Sequence, residues 1–186
     1  MPAVIREDIL FVHIPKSGGT SISQWLGDSG QKFDGHPSLQ MLRSKVHGNP
    51  YSFAVVRNPW DRAVSAYQYL FETQKETLFQ NYIDKGKPSF EQFIKSLKNV
   101  KVDQVWFNGA TPQSLWVWPG VNKIIKFEKL HEDFQEVQNI LGDHRPLPHL
   151  NASTRDSDYR KYFSEETRDI VGNIFLQDIT SFDYSF

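Results

Sequence analysis

The sequence predicts an α/β fold, a three-layer α/β/α domain built on a mainly parallel sheet. Three stretches predict it. Ile9, Leu10, Phe11, Val12 and Ile14 form a short apolar run that Pro15 stops, and Lys16-Ser17-Gly18-Gly19-Thr20-Ser21 then opens a helix through Ile22, Trp25 and Leu26. Tyr51, Phe53, Val55 and Val56 form a second, nearly continuous apolar run, as in a parallel strand covered on both faces. Residues 122–127 (NKIIKF) read as a third strand, followed by an amphipathic helix through Leu130, Phe134, Val137, Ile140 and Leu141 that Gly142 ends.

The first strand–turn–helix is an expected anion site. Glycines let the backbone curl around a phosphate, the first N–H groups of a helix have no internal partner, and a lysine adds mobile positive charge. It differs from the triphosphate loop G-x-x-x-x-G-K-[ST], because Lys16 precedes Gly18-Gly19. The plain alternative is a tight β–α turn without a ligand.

At the end of the second strand stands Arg57. Asn58 is suited to cap the next helix, Pro59 to its first turn and Asp61 to its positive end. Ala63, Ala66, Tyr67 and Leu70 give that helix a buried face, and Ser65 lies one turn after Asp61. In open α/β sheets, ligands bind beyond the carboxyl ends of the strands. Lys16 and Arg57 both fall at such ends, and a forked arginine suits a second phosphate, with Ser65 adding a hydroxyl. The alternative pairs Arg57 with a nearby carboxylate such as Asp61. Two anion sites favour a ligand with two separated phosphates.

IPKSGGTSI followed by VVRNPWDRAVSAY resembles the two cofactor signatures of sulfotransferases. Thr111-Pro112-Gln113-Ser114, residues 125–130 (IKFEKL), Asp133-Phe134, Leu147-Pro148 and Asn151-Ala152-Ser153 continue the likeness, in the order seen in the carbohydrate-type, heparan sulfate 2-O-sulfotransferase-like branch. The resemblance implies a P-loop nucleotide-binding-like fold and a donor, 3′-phosphoadenosine 5′-phosphosulfate (PAPS), with the bisphosphate PAP as product and no metal. Residues 16–21 would cradle the 5′-phosphosulfate. Arg57 and Ser65 would hold the 3′-phosphate, and Ser153 and Arg155, in the polar loop of residues 151–155, would add contacts.

Such a transfer needs a base for the acceptor hydroxyl and positive charge near the departing phosphate oxygen. Lys16 fits the second role. Of six histidines, His36 is expected to be the base: it lies in the turn-rich segment FDGHPS, and the resemblance places a catalytic histidine in a similar Gly-His segment. Asp34 either orients it or only forms the turn. His13 reads as a core or sheet-end residue, His47 as a loop residue, His131 as helical, and His144 and His149 as part of a Pro-rich turn.

Residues 72–88 read as a lid or a plain connection. Trp106, Trp116 and Trp118 are expected either to line an acceptor cleft, since aromatic faces stack on sugar rings, or to pack in the core. Ser89 and Ser164 read as helix caps. The expected acceptor is a glycan or another small hydroxyl compound.

At 186 residues, one domain spanning 1–186 is expected. A net charge of −1 offers no global attraction to nucleic acid or membrane, and zero cysteines leave no disulfides or thiolate metal sites. The apolar run from Ile9 to Val12 is too short for a signal peptide or membrane span, so a cytoplasmic protein is expected. The rival readings are a small-molecule kinase, against which the absent G-K-[ST] weighs, and a non-catalytic nucleotide- or glycan-binding module.

Overall fold

The structure, a computed structural model, describes residues 3–5, 7–27, 31–33, 35–73, 87–99, 111–148, 150 and 155–186. Its elements run β1 (Ala3–Ile5), β2 (Ile9–Val12), α1 (Gly19–Leu26), β3 (Gln31–Phe33), α2 (Leu39–Arg43), β4 (Tyr51–Val56), α3 (Pro59–Gln68), α4 (Phe90–Leu97), α5 (Ser114–Val117), β5 (Lys123–Lys126), α6 (Leu130–Leu141), α7 (Glu165–Ile174) and α8 (Leu176–Phe182). Two compact units divide the chain. The first joins Met1–Arg57 to Gln113–Ala152, and the second joins Asn58–Pro112 to Ser153–Phe186.

The first unit holds a sheet of order β3-β1-β2-β4-β5. Its β2-β4-β5 portion is parallel, with Phe11 opposite Phe53 and Val55 opposite Ile125. β1 adds an antiparallel hairpin partner to β2, and β3 pairs antiparallel with β1, so the whole sheet is mixed. Side chains alternate across a strand. Val4, Ile9, Phe11, Phe53, Val55 and Ile125 therefore share one face, where Ile22, Trp25 and Leu26 of α1 and Phe134 and Val137 of α6 cover them. Leu10, Val12, Ala54 and Val56 point the other way and are also buried, which is the two-sided burial that parallel strands require.

The second unit is helical where described. Trp60, Ala63, Ala66, Tyr67 and Leu70 pack with Phe93, Ile94 and Leu97 of α4 and with Ile170, Val171 and Phe175. The α3 stripe is the one its sequence predicts. The predicted caps form: Asn58 Oδ1 accepts the Trp60 N–H at 3.0 Å, Ser89 and Gln92 form a capping box, and Ser164 Oγ accepts from the Thr167 N–H. Among the described residues, no helix is long and apolar enough to cross a membrane.

Candidate active site

The first unit builds the site from the carboxyl ends of β2 and β4, neighbouring parallel strands. After β2, the chain turns through Lys16 at φ +65° and Gly18 at φ +78° into α1. A lysine in the left-handed region carries backbone strain of about 1–3 kcal/mol and persists only where its surroundings impose it. Here they do. The Arg57 guanidinium, beyond β4, donates from Nη1 to the Lys16 carbonyl at 3.1 Å.

Gln113 ties the same two segments. Its amide oxygen accepts the Arg57 backbone N–H at 2.9 Å and the Ser17 hydroxyl at 3.2 Å, and its amide nitrogen donates to the Arg57 carbonyl at 2.8 Å. The side chain is fully buried, so these bonds form in a low-dielectric setting. Phe127 completes the joint. The Arg57 guanidinium lies 4.1 Å from its ring centroid, and a Cβ on Gly18 would fall 2.9 Å from the ring. Gly18 is thus required twice, by its φ and by the ring beside it.

Helix α1 begins without a side-chain cap and without an acidic residue in its first turn. No side chain caps its leading N–H groups, and the positive end of a helix favours an anion. A curled backbone, an uncapped helix and a half-buried lysine fit a phosphosulfate group. Thr20 and Ser21 lie in this first turn, and the Ser21 hydroxyl accepts the Leu150 N–H at 3.3 Å.

His36 belongs to the same unit. Its Nδ1 lies 2.9 Å from the His13 carbonyl. A carbonyl only accepts, so Nδ1 carries the proton and Nε2 is the basic nitrogen of the neutral ring. The His36 carbonyl accepts the Trp116 indole N–H at 3.0 Å. His13 is buried as expected, stacked on Phe11 with centroids 5.7 Å apart and edge-on to the His36 ring at 4.7 Å. Its imidazole also lies against the start of α1, where a Cβ on Gly19 would fall 2.0 Å from Cδ2. His47, His131 and His144 are exposed.

In the second unit, α3 carries half-buried Ser65, and Asp61 one turn earlier pairs with Arg155 through Oδ1 and Nη2. Asp61 thus meets an arginine 94 residues away in sequence. Among the described residues, no group of three or more His, Asp or Glu side chains is placed to share a metal ion. Trp116 is buried, whereas Trp118 is 69% exposed. Ser153, Asp34, Trp106 and His149 lie outside the described residues, as does most of the expected lid, whose described flanks end at 73 and resume at 87.

Gln113 and Phe127 are site residues that no local sequence pattern singles out. Both stand inside stretches that carry the family resemblance, TPQS and IKFEKL, which was their one available signal.

A family model described as "Sulfotransferase family" matches residues 5–185. The chain belongs to the sulfotransferase family. Among solved structures it resembles the mouse sulfotransferase SULT7A1, described as complexed with PAP, at 17% identity and TM-score 0.55, over 96% of this chain and 86% of that one. A sulfotransferase from Alicyclobacillus acidocaldarius is a more distant likeness, at 17% identity and TM-score 0.41, over 79% of this chain and 60% of that one. No curated protein matches. The SULT7A1 likeness supports the fold of this sulfotransferase, a mixed α/β sheet of P-loop-like plan.

Proposed function

We propose that this sulfotransferase moves the sulfuryl group of PAPS to a hydroxyl of a glycan or other small acceptor. The observation that carries the reading is the joint at Gln113: two strand ends, one bearing the lysine loop and the other an arginine, are locked together by one buried amide. Two anion-binding segments held in fixed register suit a donor with a phosphosulfate at one end and a separate phosphate at the other. The donor supplies an activated sulfuryl group and a leaving phosphate.

Residues 16–21 receive the phosphosulfate through the loop backbone and the start of α1, and Arg57 receives the 3′-phosphate. The family resemblance also assigns Ser65, Ser153 and Arg155 to the donor, and that support comes from sequence alone. His36 Nε2 takes the acceptor proton as the acceptor oxygen bonds to sulfur. The bond from sulfur to the bridging phosphate oxygen breaks in line, and Lys16 stabilises the charge left on that oxygen. The products are a sulfate ester and PAP. Trp118, exposed beyond α5, supports a glycan acceptor, because an exposed indole face stacks on sugar rings.

The test is transfer of label from [35S]PAPS to a panel of desulfated uronic-acid glycans and small phenols, with EDTA present. Labelled glycan is the expected product. Transfer confined to phenols would overturn the glycan assignment, and PAPS binding without transfer to any acceptor would favour a binding module.

A further inference from the structure

We propose that Trp116 is the positioning residue for His36. This rests on the reading of His36 as the base. His36 belongs to no regular element: β3 ends at Phe33, Gly35 takes φ +77°, and α2 starts only at Leu39. A base on such a turn keeps its geometry only if something outside the turn holds it. Two polar groups of His36 are held. The His13 carbonyl, at the end of β2, fixes Nδ1 and with it the proton-bearing nitrogen. The Trp116 indole N–H donates to the His36 carbonyl and so fixes the backbone beside the Cα that carries the ring.

The anchor is itself rigid. Trp116 is buried on α5, and α5 packs against α2, the helix that His36 leads into. α5 begins directly after Gln113. One segment of five residues therefore holds both parts of the chemistry: Gln113 binds the lysine loop to Arg57, and Trp116 binds the turn that carries the base. An indole N–H only donates and needs a partner when buried, so it selects a carbonyl. If Trp116 were core filling alone, its loss would lower stability without touching the behaviour of His36.

The experiment uses the full chain with Trp116 replaced by β-(3-benzothienyl)alanine, which keeps the bicyclic ring and removes the N–H. Trp116→Phe, His36→Ala and the combination with His36→Ala complete the set. The readouts are PAP affinity, PAPS turnover (label transfer to desulfated heparin, and to water as inorganic sulfate) and the His36 Nδ1–H signal in nitrogen-edited NMR. The expected result is a fall in turnover of about tenfold, the scale of one lost hydrogen bond. PAP affinity should stay within about twofold, since the change spares the donor-binding residues. The Nδ1–H signal should weaken, and the Trp116 changes should have no further effect on turnover once His36 is alanine. An unchanged turnover and Nδ1–H signal in the isostere, or an equal fall in both His36 backgrounds, would overturn the inference. Wild-type turnover in His36→Ala would sink the base reading instead, while the NMR signal still reports whether Trp116 holds the ring.

Discussion

Gly19→Ala adds one carbon at the point where helix α1 meets the buried His13 ring. That carbon would fall 2.0 Å from His13 Cδ2 and 2.2 Å from Nε2. Ordinary carbon contacts lie near 3.5–4.0 Å, so the ring or the helix must move by about 1.5 Å. The ring has little room, because Phe11 stacks on it and His36 meets its edge. Overpacking of this kind costs about 1–3 kcal/mol. Alanine returns up to about 1 kcal/mol as a better helix former. The expected balance is a loss of about 1–2 kcal/mol, or a fall in Tm of about 2–8 °C for a chain of this length. The damage should reach chemistry too, because the His13 carbonyl holds His36 Nδ1. Urea unfolding measures the first effect, and PAP titration with PAPS turnover the second. His13→Ala opens the space, so the double variant should be more stable than the two single losses added, by about 1–2 kcal/mol. Wild-type stability and turnover in Gly19→Ala would refute this account of the loop.

Lys16→Ala and His36→Ala should each lower turnover by about two orders of magnitude or more, with His36→Ala sparing PAP affinity in a direct titration. Gln113→Glu keeps the acceptor for Ser17 and the Arg57 N–H but loses the donor to the Arg57 carbonyl; it should destabilise by about 1–3 kcal/mol and raise the KM for PAPS more than that for the acceptor. Glu136 is held below its usual pKa, first by its hydrogen bond from Lys123, with Tyr51 adding a weaker one. Its contribution is present above the ordinary carboxylate pKa and fades as pH falls through the lowered value, so Tm curves for wild type and Glu136→Gln should converge in acid. The gap should stay below about 1 kcal/mol because the Glu136 carboxylate is half exposed.

Elements with a strong local signal were legible in the sequence. The apolar run into Pro15, the Asn58-Pro59 start of α3, the Ser89 and Ser164 caps and the stop at Gly142 each carry their own physics, and each appears in the structure. β1 and β3 are three residues long and exist through pairing, which no window of sequence reports. Helices α2 and α5 are too short for a periodic stripe. The pairing of Asp61 with Arg155, and the meeting of Gln113 with partners 56 and 96 residues away, are likewise products of the fold. Lys16 and Arg57 stand just beyond the ends of β2 and β4, as their sequence neighbours predict; the neutral amide joining them has no such local signature.

The most direct test is titration of the protein with PAP in EDTA, followed by thermal unfolding, with ATP and ADP alongside, each with and without magnesium. PAP at a hundred times its Kd should add about 2.7 kcal/mol of stability without any metal. Arg57→Ala should abolish most of that gain. Stabilisation by magnesium-ATP alone, or PAP binding that survives Arg57→Ala unchanged, would contradict the assignment of these two strand ends to a bisphosphate donor.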